Sequence, residues 1–117
     1  MKNLRINGRV WLETTSEGET ERFLGIGRME LLGHIQQTGS INKAAKAMSM
    51  SYKRAWELVQ SMNKLADVPL VVTQTGGSTG GGAVVTAEGE KYLAQYQALQ
   101  VRFHQFLADE LARFSEA

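Results

Sequence analysis

Lys43, Lys46, Lys53, Arg54 and Lys64 fall between Ser40 and Leu65, where the only acid is Glu57. At helical spacing, Tyr52, Lys53, Arg54 and Glu57 lie mostly on the outside of one helix, near its N-terminal end. Ammonium and guanidinium groups set this way hold phosphate oxygens, and a guanidinium also reads guanine edges. Ser51 and Tyr52 add hydroxyls able to bond phosphate or base. The plainer reading of the same residues is a surface helix with a solvated basic face. A helix that enters a DNA groove usually presents its N-terminal end, and this is the end that carries the cluster.

Local signals position that helix. Gly39 suits the left-handed conformation that ends a preceding helix. Ser40 caps the next helix, about Ile41–Met48, whose Ile41, Ala44, Ala45 and Met48 mark a buried face. Ala44 and Ala45 are small enough for another helix to approach closely. Ser49 and Met50 make the turn. Ser51 caps a second helix, about Tyr52–Leu65, with Ala55, Leu58, Val59, Met62 and Leu65 as its inner stripe. Trp56 falls on the flank, where its expected role is to anchor the helix to the core.

The chain as a whole sets limits. Its 117 residues suit one domain, and 43% hydrophobic residues suffice for a core. The lack of cysteine excludes disulfides and thiolate metal sites and fits a reducing compartment, so a cytoplasmic location is expected. No apolar run has the length of a membrane span, and no signal-peptide core is present at the N-terminus. The net charge of +1 hides an asymmetry, because Glu13–Glu21 holds four glutamates and no base. A positive face beside a negative one steers DNA without an extreme isoelectric point.

The flanking elements follow from periodicity. Leu4, Ile6, Val10 and Leu12 alternate with Arg5, Asn7, Arg9, Trp11 and Glu13, which predicts a strand. A polar turn over Thr14–Glu19 and a return over Thr20–Leu24 would make a hairpin, with Trp11 and Phe23 paired across it. A helix is expected over Arg28–Gln37, with Ile26, Met29, Leu31, Leu32 and Ile35 as its apolar face. Pro69 can start a strand but not sit mid-ladder, so strands are expected at Leu70–Thr75 and Ala83–Thr86. Thr86 caps a long last helix, about Ala87–Phe114, with Glu88 and Glu90 at its positive end.

Other chemistries have weaker support. Five of the 12 glycines lie in Gly76–Gly82, but a Walker loop needs Gly-Lys-Ser/Thr opening a helix, and here a strand follows with no lysine. Glycines at a hairpin tip can instead lay backbone N–H groups along a DNA phosphate. His34 has no second histidine or acid at ligand spacing, so no metal site is expected. Neither His34 nor His104 joins an acid and a nucleophile, so no enzyme is expected, and no cofactor.

Together the elements make an α+β, mainly helical chain in a single domain. An N-terminal β-hairpin spans 1–26, a three-helix core with the helix-turn-helix 28–65, a two-strand wing 70–86 and a long C-terminal helix 87–114. That order is a winged helix-turn-helix. The stretches GSINKAAKAMSMSYKRAWELVQSMN, PLVV and TGGSTGGGAVVTAEG resemble the DNA-binding N-terminal domain of the molybdate-responsive ModE regulators. The helix-turn-helix is also similar to that of LysR-type regulators. Ser-Tyr-Lys-x-Ala-Trp followed by the glycine-rich wing is far more specific than a helix-turn-helix alone.

The resemblance implies a bacterial transcription factor that binds a palindromic operator in double-stranded DNA as a homodimer held by N- and C-terminal elements of this domain. It implies the Ser51–Leu65 helix in the major groove and the wing on the backbone. Its matching positions are Ser40, Ser51, Tyr52, Lys53 and Trp56, and Thr75, Gly76, Gly77, Gly80, Gly81 and Gly82. Combined with the basic residues, the expected DNA-binding set is Ser40, Lys43, Lys46, Ser51, Tyr52, Lys53, Arg54, Thr75, Gly76, Gly77, Ser78, Thr79 and Gly80. The wing departs from the family by being neutral, with Val72-Thr73-Gln74 and Ser78-Thr79 where the family often has a base. Ser49 stands where many such turns have glycine, so slight strain is expected there. The chain stops where the family's molybdate-binding domains begin, so no molybdate binding is expected in it.

The last helix bears Tyr96, Leu99, Phe103, Phe106, Leu107, Leu111 and Phe114 at intervals of three or four. A small core covers the early members and leaves the late ones to a partner, which makes this the expected dimer surface. The alternatives are a helix wrapped on its own domain and, for function, a winged-helix protein-interaction module without direct DNA binding.

Overall fold

A computed structural model describes residues 3–74 and 82–116. Its elements are β1 (Leu12–Ser16), β2 (Glu19–Leu24), α1 (Ile26–Thr38), α2 (Ile41–Ala47), α3 (Tyr52–Leu65), β3 (Val71–Gln74), β4 (Gly82–Val85) and α4 (Ala87–Glu116). Two antiparallel hairpins, β1–β2 and β3–β4, sit at the edges of a helical core. Leu24, Leu31, Leu32, Ile35, Val59, Met62 and Leu70 are fully buried there.

The helix-turn-helix forms as its caps predict. Gly39 closes α1 with φ 69°, and its N–H bonds the Ile35 carbonyl. The Ser40 and Ser51 hydroxyls accept the backbone N–H groups of Lys43 and Arg54 at the starts of α2 and α3. Ser49 in the turn has φ 55°. That left-handed backbone costs an L-residue roughly 1–2 kcal/mol, so the expected strain is present.

The β3–β4 hairpin is bolted to the helices through its backbone. Asn63 of α3 donates to the Val71 carbonyl at 2.8 Å and accepts the Leu70 and Val71 N–H groups at 2.8 and 3.2 Å. Ala83 N–H donates to the Gly39 carbonyl at 2.9 Å. Thr86 caps α4 by accepting the Gly89 N–H. A side chain at Gly89 would run into the Leu70 carbonyl and lie 2.7 Å from the Val85 methyl, so only glycine lets α4 start so close to the hairpin.

The N-terminal strand is where expectation fails. Residues 3–11 form no strand, and β1 begins only at Leu12, opposite Leu24. The next residue, Gly25, already caps α1, so nothing remains for the earlier residues to pair with. Leu4 is exposed, Ile6 and Val10 are half-covered, and this segment runs against α4 instead. The Tyr96 hydroxyl donates to the Val10 carbonyl at 2.8 Å, and Gly8 lies against the Phe103 and Leu107 side chains. The expected Trp11–Phe23 pair is also absent. Phe23 is buried edge-on to Tyr92, with ring centres 5.4 Å apart, while Trp11 lies under the Arg22 guanidinium at 4.3 Å.

Candidate nucleic-acid interface

A helix of 14 residues is about 21 Å long, and α3 lies with one face sealed and the other open. Ala55, Leu58, Val59 and Met62 are buried, while Ser51, Tyr52, Lys53 and Arg54 are exposed. Lys43 and Lys46 on α2 are exposed as well. Among the described residues the one ion pair is Arg113–Glu110, far along α4. The cations of α2 and α3 therefore face solvent with no carboxylate bound to them. Ser40 and Ser51 spend a lone pair on capping, but each hydroxyl proton is still free to reach a phosphate oxygen.

Two grooves border α3. One, of about 290 Å³, runs between α3, the start of α2 and the β3–β4 hairpin, lined by Ser40, Tyr52, Trp56, Thr73 and Gln74. Among the described residues no charged one lines it. Trp56 stands here 44% exposed, so it does not anchor the helix to the core as expected; the small Ala55 and branched Leu58 and Val59 fill that role. The other groove, of about 580 Å³, lies between α3, the start of α1, the first hairpin and α4. Arg9, Arg22, Arg28 and Arg54 line it, and among the described residues no acid does.

Arg28 is the half-buried member of that set. Its guanidinium donates to the Phe23 carbonyl at 3.1 Å and the Ser61 hydroxyl at 3.0 Å. Burial lowers its pKa from the usual arginine value, Arg54 and Arg22 lower it further, and Glu21 opposes them. Arg9, Arg22 and Arg28 were absent from the expected site. They are scattered around the glutamate-rich Glu13–Glu21 run, and only folding gathers them beside Arg54.

Thr75, Gly76, Gly77, Ser78, Thr79 and Gly80 lie outside the described residues. On α4, Tyr96 is 3% exposed and belongs to the chain's own core. Leu99, Phe103, Leu107 and Leu111 are half-covered, whereas Phe106 and Phe114 are 57% and 66% exposed. Among the described residues no helix is long and apolar enough to cross a membrane.

The sequence pattern of the bacterial regulatory helix-turn-helix proteins of the lysR family matches residues 26–90, which takes in α1 to the start of α4. The chain belongs to this family. It is 43% identical over 89 residues to the molybdenum transport protein ModE of Azotobacter vinelandii, covering 76% of this chain and 33% of that one. It is 48% identical over 77 residues to the molybdenum-pterin-binding protein MopB of Rhodobacter capsulatus, covering 66% of this chain and 28% of that one. With the DNA-binding transcriptional dual regulator ModE of Escherichia coli K12 it shares 44% over 72 residues, 62% of this chain and 28% of the relative. The chain thus spans about a third of the length of the curated relatives it matches, and the matched region is a ModE-type helix-turn-helix domain.

Proposed function

We propose that this chain binds double-stranded DNA as a homodimeric, cytoplasmic transcriptional regulator. In this reading α3 enters the major groove by its N-terminal end, and Lys53 and Arg54 meet phosphates or guanine edges. Ser40, Lys43 and Lys46 reach phosphates, and the segment 75–81 follows the backbone. The observation that supports it best is the open turn Ser51–Arg54, held out by a helix whose opposite face is sealed in the core. Selection of bound duplexes from a random pool tests it, with a palindromic half-site motif as the expected result. No enrichment at low salt would remove the reading. Each neutralised phosphate releases counterions, so affinity should fall steeply with salt.

The dimer is proposed on the far half of α4. Phe106 and Phe114 are exposed there on the described chain, and burying each would contribute roughly 1.5–3 kcal/mol. A two-fold partner covers them with the same surface and sets two α3 helices about one DNA turn, roughly 34 Å, or a multiple of it, apart. The double variant Phe106→Ser/Phe114→Ser should be monomeric by light scattering and bind the operator weakly. A wild-type monomer that binds tightly would rule the dimer out.

A further inference from the structure

B-form DNA has a major groove about 12 Å wide, and an α-helix with its side chains is about 10–12 Å across. A helix seated in that groove has one phosphate backbone along each flank. The flanks of α3 differ in charge. The flank facing β3–β4 presents Ser40, Tyr52, Trp56, Thr73 and Gln74, none of them charged. The flank facing β1–β2 opens into the groove that holds four arginines from four segments: the N-terminal arm, β2, α1 and α3. Four like charges in one groove repel, and among the described residues no acid lines it to offset them. Two glutamates stand nearby. Glu21 is close enough to favour the charged Arg28, and Glu13 accepts the indole N–H of Trp11, a lining residue, at 2.7 Å.

We propose that the DNA backbone is gripped chiefly on the first-hairpin flank of α3, with phosphodiester groups held by Arg9, Arg22, Arg28 and Arg54. This rests on α3 as the DNA-reading helix, and it reverses the usual division of labour, in which the second hairpin carries the backbone contacts. Arg54, on the first turn of α3, meets the phosphate nearest the bases. Arg28 sits deeper, its geometry fixed by Phe23 and Ser61. Arg22, spread over the Trp11 ring, and Arg9 complete the outer wall. The first turn of α1 adds backbone N–H groups, since Gly25 gives it no side-chain cap and no acid lies in that turn.

The test is equilibrium binding of the selected duplex across a range of salt, comparing wild type with Arg9→Gln/Arg22→Gln. Neither residue is buried, so the fold should persist; a thermal melt checks this. The variant should lose about tenfold or more in affinity at 0.1 M salt, and the slope of log K against log salt should shrink by about 0.9 for each phosphate no longer neutralised. Its selected sequence should be unchanged, because bonds to phosphate carry no base preference. Thr73→Val/Gln74→Ala, on the opposite flank, should leave the slope as it was. Wild-type affinity and slope retained in the arginine variant would overturn this assignment while leaving α3 as reader. A wild-type chain that binds no duplex at low salt would overturn both. Titration with inorganic phosphate, followed by arginine Nε–H resonances, separates a last case. Saturable binding lost in the variant, with an unchanged DNA salt slope, would give the groove to a free anion and overturn its assignment to DNA.

Discussion

The β1–β2 and β3–β4 hairpins are both two-stranded, antiparallel and placed against α3, yet they are attached by different means. β3–β4 is held by main-chain bonds at its root: Asn63 grips Leu70 and Val71, and Ala83 N–H reaches Gly39. It buries Val71, Ala83 and Val85. β1–β2 buries only Phe23 and Leu24 at its base. Those two side chains pack in the core with α3, and among the described residues the hydrogen-bonded link to α3 is Arg28, which bonds both Phe23 and Ser61. The neutral hairpin is therefore part of the scaffold. The charged one is seated by two core side chains and tied by Arg28, which also lines the arginine groove, so whatever fills that groove also bears on the tie.

Changing how each hairpin is tied sharpens this contrast. Asn63→Ala removes three bonds and leaves the Leu70 and Val71 amides short of partners. It should destabilise the chain by about 2–3 kcal/mol in denaturant titration, and hydrogen exchange should quicken first at Leu70 and Val71, whose amides Asn63 holds. A loss no larger than that of an exposed surface change would mean the second hairpin is not bolted as described. Arg28→Gln should cost less, about 1–2 kcal/mol, with the exchange confined to β1–β2 and the start of α1. Exchange spreading into β3–β4 would show that the two hairpins share one attachment. The smallest effect is expected at the first hairpin's tip. Glu17 and Gly18 both have positive φ, 51° and 82°, the turn that favours Asn-Gly. Glu17→Asn should stabilise the chain by about 1 kcal/mol or less, seen as a small rise in Tm with DNA affinity unchanged.

How far the sequence could be read depended on whether its signals were local. The bounds of α3 are those the sequence predicts, because a capping serine and a five-residue inner stripe act within a few residues. Gly39 and Ser49 took the left-handed backbone that their places in the turns require. The N-terminal arm misled because alternation says only that one side is apolar. It cannot say whether that side meets a strand or, as here, a helix some 90 residues later. Trp56 misled because size suggested burial, while the three neighbouring inner positions were already filled. The arginine groove was not legible at all. Arg9, Arg22 and Arg28 have no shared spacing, and each was read as part of a different element. Asn63 was missed for a related reason: its three partners lie seven and eight residues away across a turn.

Gly89 gives the last helix a pivot. The helix runs on from it to Glu116, a rod of about 40 Å with Phe106 and Phe114 exposed along its far half. A side chain at the pivot would have to tip the rod off the Leu70 carbonyl, and a tilt of about 10° moves the tip of a lever of about 40 Å by about 7 Å. The missing methyl group thus works as a machine tolerance. If two rods clamp tip to tip, the gauge between the paired α3 helices is cut at this one glycine, far from any nucleotide.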